Sequence, residues 1–266
     1  MIRKLVILSL AILTSFSLFS QNLERWRAGS ALSLGGKVYI LSVFVTTPKE
    51  KWTYDDKIKL ISRQILAQDW LVKQAKEYGV QLSFLNGFYG VKTDMVVDEI
   101  ISNKEHEGRV DWVNYILTKA GYKSPADFQE RLKNTYSDCD NSLVIIYANT
   151  KGRSYAVPFH TGMNKNKYFV EGCCVYRYYK GVELLPATIA HEILHLFGAW
   201  DLYKDGAKTL ERANRAWELF PHDVMREGSY DINNLKIDRL TAWLVGLTPY
   251  KESTFDWFNP AGIPGD

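Results

Sequence analysis

The chain has 266 residues, 46% hydrophobic and 24% charged, enough to bury one sizeable core. Its formal charge is +3, and removing Arg3 and Lys4 takes two positive charges away and leaves +1. That balance gives no electrostatic case for a nucleic-acid partner.

Residues 1–20 read as a secretory signal peptide: Arg3 and Lys4, an apolar run over 5–19, then Ser20 before a cut. Leu18 is larger than usual three places before that cut. A retained membrane anchor is the alternative, although the run is short for a span. The leader implies a secreted or periplasmic protein with no stable membrane insertion once it is removed, and residues 21–266 as a single domain divided near 198 into an upper and a lower part. It also takes Cys139, Cys173 and Cys174 into an oxidising compartment. Cys139 is expected either to pair with Cys173 or Cys174, since these residues lie beside two predicted strands, or to stay reduced with them.

In chain order, 37–46 (KVYILSVFVT) is rich in β-branched and aromatic residues and reads as a buried strand. Thr53 with Asp56 three residues later fits a helix N-cap. Ile58, Ile61, Ile65, Leu71, Val72, Ala75 and Tyr78 keep helical spacing up to Gly79, the expected stop. A second strand follows at 80–85, and strand, helix and strand together make a parallel pair by crossover. Segments 96–101 and 109–120 read as helical. Ser124–Pro125 opens a short helix to about Tyr136. Residues 142–148 (SLVIIYA) form the clearest buried strand. Residues 154–160 read as an edge strand because Pro158 cannot donate to a ladder, and 168–178 as another strand. Helices are expected at 209–219 and 232–245, with an irregular tail from 253. No internal repeat or low-complexity linker is present.

The chemistry concentrates in 188–203, TIAHEILHLFGAWDLY. His191 and His195 are four apart, so on a helix they stand on one face and can share a divalent metal. Glu192 is rotated from them by about 100°. It therefore sits beside a metal rather than on it, where a general base belongs. The apolar residues around these three bury the helix, and buried polar groups without partners cost free energy. Gly198 ends the helix as a left-handed cap, and the chain then folds back to offer Asp201 as third ligand. Asp205 and His222 are the rival third ligands. Three protein ligands leave a position for water, the catalytic pattern.

HEILHLFGAWD resembles the HExxHxxGxxD form of the metzincin zinc metallopeptidases, as in secreted bacterial proteases of the snapalysin and immune-inhibitor-A types. The resemblance implies a mixed α/β metzincin-like fold: a twisted five-stranded sheet with one antiparallel edge strand, long helices, an active-site helix and a methionine turn. It further implies zinc held by His191, His195 and Asp201, Glu192 as base, and Met225 as the methionine of the turn Asp223-Val224-Met225. Some relatives place a transition-state tyrosine two residues after that methionine. Here Glu227 stands there, and Tyr230 is the nearest tyrosine. Ser154, Tyr155, Ala156 and Val157, within the stretch 153–159, form the candidate edge on which an extended peptide would lie. The function expected is a monomeric secreted zinc endopeptidase acting on protein or peptide substrates. The alternatives are a non-catalytic, zinc-stabilised binding protein and a peptidase restricted to glycoproteins.

Overall fold

The computed structural model describes residues 30–101, 111–158, 170–207, 209–226 and 229–259. The leader expectation on 1–20 lies outside the described residues, as does Glu227. Among the described residues no helix is long and apolar enough to cross a membrane.

The architecture is mixed α/β. Strand β1 (Gly36–Thr46) leads into helix α1 (Tyr54–Glu77) and β2 (Leu82–Tyr89), and β1 and β2 pair in parallel. Then come β3 (Met95–Val96), α2 (Asp111–Lys119), α3 (Pro125–Thr135), β4 (Asn141–Lys151), β5 (Tyr155–Val157), β6 (Gly172–Tyr179) and β7 (Val182–Glu183). Helices α4 (Pro186–Leu196), α5 (Leu210–Leu219) and α6 (Arg239–Leu244) follow. The sheet order is β2-β1-β4-β6-β5, parallel except for β5, which runs antiparallel to β6 at the edge. The sheet is mixed with an antiparallel edge strand, as expected, but it has seven strands rather than five, because β3 pairs with β1 and β7 with β6.

Side chains on a strand alternate between faces, and here the alternation builds two cores. Leu143, Ile145 and Tyr147 of β4 pack on the side of α1 and α4, while Val144, Ile146 and Ala148 pack on the side of α2 and α3. Residues on both sides of 198, from Ile193 and Leu194 to Met225, Leu240 and Phe258, share the first cluster. The same alternation separates Cys173 from Cys174. Of the two expectations for the cysteines the reduced one fits, since Cys139, Cys173 and Cys174 are all free thiols. Burial pushes all three thiols up, which keeps them unreactive.

Four expectations need correction. Helix α1 is capped by Thr53 as expected, and of its expected face Leu71 and Ala75 are buried and Ile61, Val72 and Tyr78 pack against the core, but Ile58 and Ile65 are 39% and 38% exposed, whereas Leu60, Gln64, Ala67, Gln68 and Gln74 are buried. The glutamines are accommodated because each is hydrogen bonded. Gln64 accepts from Ser42 and Tyr147, both at 2.8 Å, and Gln64 and Gln68 both donate to Asn86. Residues 97–101 are not helical, because Val97 donates to Thr46 of β1 at 2.9 Å and so continues the sheet contact begun by β3. The last helix is broken. A 3-10 turn at Ile232–Asn234 is followed by an extended stretch, in which Lys236 pairs with Asp223 and Ile237 donates to Gln74, before Asp238 caps α6. The tail is not irregular throughout, since Phe255–Phe258 makes a 3-10 turn that buries both phenylalanines.

One buried carboxylate fastens the start of the described chain to the sheet. Glu171, just before β6, accepts from the Ser30 amide, from the Ser30 hydroxyl at 2.6 Å and from the Ala31 amide at 3.0 Å. Burial pushes its pKa up to about 7, although the Ser30 and Ala31 hydrogen bonds pull the other way. Between an unfolded value near 4.5 and that of the fold, the folded chain binds a proton that the unfolded chain releases. The stability from this group is therefore greatest at low pH and is lost as pH rises through about 7. Glu171→Gln is expected to remove that slope. Relative to the variant, the wild type should lose on the order of 3 kcal/mol between pH 4.5 and 8 in urea unfolding. Parallel pH curves for the two proteins would refute this.

Candidate metal centre

Helix α4 is almost wholly buried, and after Pro186 at its start only positions 188, 191 and 195 are partly open. Their three- and four-residue spacing makes one stripe, and that stripe faces a cleft of about 880 Å³. Pro186 occupies the first turn, where its missing N–H costs nothing. At the other end Gly198 takes a φ of 98°, which only glycine adopts readily. This turn directs the Ala199 carbonyl onto His195 Nδ1 at 2.8 Å and leads the chain back to Asp201.

His191 Nδ1 lies 3.0 Å from the Val224 carbonyl. With a carbonyl oxygen facing each Nδ1, that nitrogen carries the proton and each Nε2 presents a lone pair. The two Nε2 atoms are 3.1 Å apart, and each is 3.1 Å from Asp201 Oδ1. Three electron-rich atoms thus form a nearly equilateral triangle, which is repulsive unless a positive charge sits among them. When the imidazoles are protonated on Nε2 instead, they take the place of that positive charge: burial works to raise the Asp201 pKa, but the His195 charge and hydrogen bonds from both imidazoles outweigh it and hold the carboxyl far below its usual range. Burial lowers the His195 pKa, and attraction to Asp201 with the hydrogen bonds to Asp201 and Ala199 reverses this to a net rise.

The set fits a metal ion on its own geometry. Donors at ~2.0–2.1 Å in a tetrahedral site lie about 3.3 Å apart, close to the 3.1 Å edges found. Of the rival ligands, Asp205 lines the cleft and His222 is exposed, and the described donor group consists of His191, His195 and Asp201.

Glu192 is 5% exposed and lines the same cleft, and its Oε2 has no hydrogen-bond partner among the described residues. Burial, the largest influence, pushes its pKa up to about 7, with His191 and Arg153 opposing and Asp201 adding. The turn that carries Met225 is fixed from two sides. Asp223 accepts from the Met225 amide at 2.7 Å and the Asp238 amide at 2.8 Å, and the Met225 carbonyl accepts from Leu202 at 3.0 Å. Met225 is fully buried, and its neighbour Val224 supplies the carbonyl that orients His191. Tyr230 reaches the cleft rim and is 78% exposed.

On the opposite wall β5 is the outer strand, and Ser154, Tyr155 and Ala156 line the cleft while Val157 does not. Trp200, between the glycine and Asp201, turns away from the cleft and packs edge-on to Trp243. Tyr203 was given no site role by the sequence, and Arg153 was placed only at the start of the candidate edge, with no chemistry of its own. Tyr203 donates its hydroxyl to Asp201, accepts from Arg153 Nη2 at 2.6 Å and stacks on His191. Its place two residues after Asp201 was the available signal, whereas nothing local marks Arg153, which is 50 residues away.

Fold and site together define a mixed α/β protein with a His, His, Asp donor set on a buried helix, open to a cleft at the sheet edge. No protein-family model matches the chain, and no curated protein matches it.

Proposed function

We propose that this chain is a secreted or periplasmic zinc-dependent endopeptidase of the metzincin type. The observation that carries the reading is Glu192 Oε2, a buried carboxylate oxygen with no partner beside a triangle of three metal donors. A site built only to hold a structural ion has no use for such a base and ordinarily closes its fourth position with protein. When bound, zinc would act as a Lewis acid on a carbonyl and lower the pKa of water towards neutrality.

The protein's own groups divide the remaining work. His191, His195 and Asp201 would hold the ion, and the Val224 and Ala199 carbonyls fix the two imidazoles in the ligating tautomer. The Glu192 carboxylate takes the proton from the attacking water and delivers it to the departing amine. The outer strand β5, with Ser154, Tyr155 and Ala156 on the cleft, offers backbone groups to an extended peptide. Met225 serves as packing under the metal helix.

The test is a proteome-derived peptide library incubated with zinc-loaded protein and with chelator-treated protein, then read by mass spectrometry. New termini made only by the loaded protein are expected. A library left intact by the loaded protein, or cut equally after chelation, would overturn the reading.

A further inference from the structure

The cleft holds a cation that the catalytic reading leaves unused. Arg153 lies between β4 and the outer strand β5 and is half-buried on the cleft wall. Its guanidinium donates to the Tyr203 hydroxyl at 2.6 Å and sits 5.4 Å from that ring's centre. Among the described residues it forms no ion pair with any carboxylate. A guanidinium carries five N–H donors in a planar fork suited to a carboxylate, and here one of them is engaged.

The other charges of the cleft sharpen the point. Glu183 is occupied by Lys59 at 2.6 Å and Arg63 at 2.8 Å. Glu192 and Asp201 belong to the metal site. That leaves Arg153 and Lys180 as cations against Asp205 as acid. The wall is therefore net positive beside a dication whose charge its own ligands and base already offset. A half-buried cation in such a place is most favourable when an anion arrives to pair with it.

Building on the peptidase reading, we infer that Arg153 is an anion anchor that selects substrates carrying a carboxylate close to the bond held at the metal. The tether to Tyr203 holds the guanidinium against the wall at the start of the outer strand. A chain lying along Tyr155–Val157 passes it at a fixed distance from His191 and Asp201. The carboxylate is either an acidic side chain or a free C-terminus, and the chemistry that recognises the two is the same.

The test is binding, so that it does not depend on turnover. Zinc-loaded Glu192→Gln protein is applied to an array of random decapeptides, each made with a free and with an amidated C-terminus. Retained peptides should be enriched in Asp and Glu at one register, or in free C-termini, and the pattern tells the two sources apart. Replacing Glu by Gln in a retained peptide, or amidating its end, should weaken binding about 10- to 100-fold, the range for a charge-assisted hydrogen bond. Adding Arg153→Gln should erase that discrimination, while Arg153→Lys should keep part of it and so control for misfolding. No retention, no acidic enrichment, or enrichment that survives Arg153→Gln overturns the inference. Wild-type hydrolysis without acidic preference would sink the anchor and leave the peptidase. Arg153-dependent acidic binding without hydrolysis would do the reverse.

Discussion

Glu192→Gln is expected to reduce hydrolysis by roughly 10²- to 10⁴-fold, the usual contribution of a general base, while zinc stays bound at one ion per chain. The two halves of this prediction come from different atoms. Zinc retention follows because the donor triangle is made by His191, His195 and Asp201, and Glu192 is no part of it. Loss of rate follows because Glu192 lines the cleft and its carboxylate has no other task, Oε2 being without a partner among the described residues. Glutamine keeps the shape and removes a buried charge, so the variant should melt no lower than the wild type. Zinc is read by elemental analysis and rate by the library peptides cut fastest. Near-wild-type cleavage would remove Glu192 from the mechanism, and loss of zinc would show that it helps to hold the ion.

The residues legible in the sequence are those whose chemistry is written locally. His191, Glu192 and His195 share one helical turn, and an apolar helix bearing three polar side chains needs a site to justify them. Gly198 announces the turn, and Asp201 lies a few residues beyond it. Strands β1 and β4 are legible for a similar reason, since burial on both faces demands continuous β-branched and aromatic runs. What the sequence hides depends on partners distant along the chain. The buried face of α1 is lined partly by Gln64, Gln68 and Gln74, whose amides are tolerated because Ser42, Tyr147, Asn86 and Ile237 complete them. A count of apolar positions therefore took in Ile58 and Ile65, which are exposed, and passed over the glutamines. Residues 232–245 keep helical spacing, yet the amides of Lys236 and Ile237 donate to His222 and Gln74, 14 and 163 positions away. Arg153 is invisible for the same reason, because its meaning comes from Tyr203.

The second large effect should come from a single methyl group. A Cβ added at Gly206 would collide first with Cβ of Asp201 and would lie 2.7 Å from both its Cγ and its Oδ2, closer than such atoms approach in proteins. Gly206 has no left-handed backbone, so alanine is not excluded by its φ. The strain therefore falls on Asp201 at its Cβ, which no rotamer change can move away, so the carboxylate it carries must shift with it. Gly206→Ala is expected to weaken zinc binding by about 10- to 100-fold, as displacement of a ligand's supporting shell does, with far-ultraviolet circular dichroism unchanged. Asp201→Ala, which removes the ligand itself, should weaken it further. A competing chromophoric chelator measures both, and the stabilisation conferred by zinc on melting should shrink in step, because a ligand stabilises the fold only in proportion to its affinity for it. Unchanged affinity in Asp201→Ala would take Asp201 off the metal and reopen the claim of Asp205, the remaining carboxylate on that wall. If Gly206→Ala alone bound zinc normally, the 201–206 loop would have to give way around the methyl. The reach of Asp201 to the two imidazoles would then be set by the anchor of Leu202 on Met225 rather than by the glycine behind it.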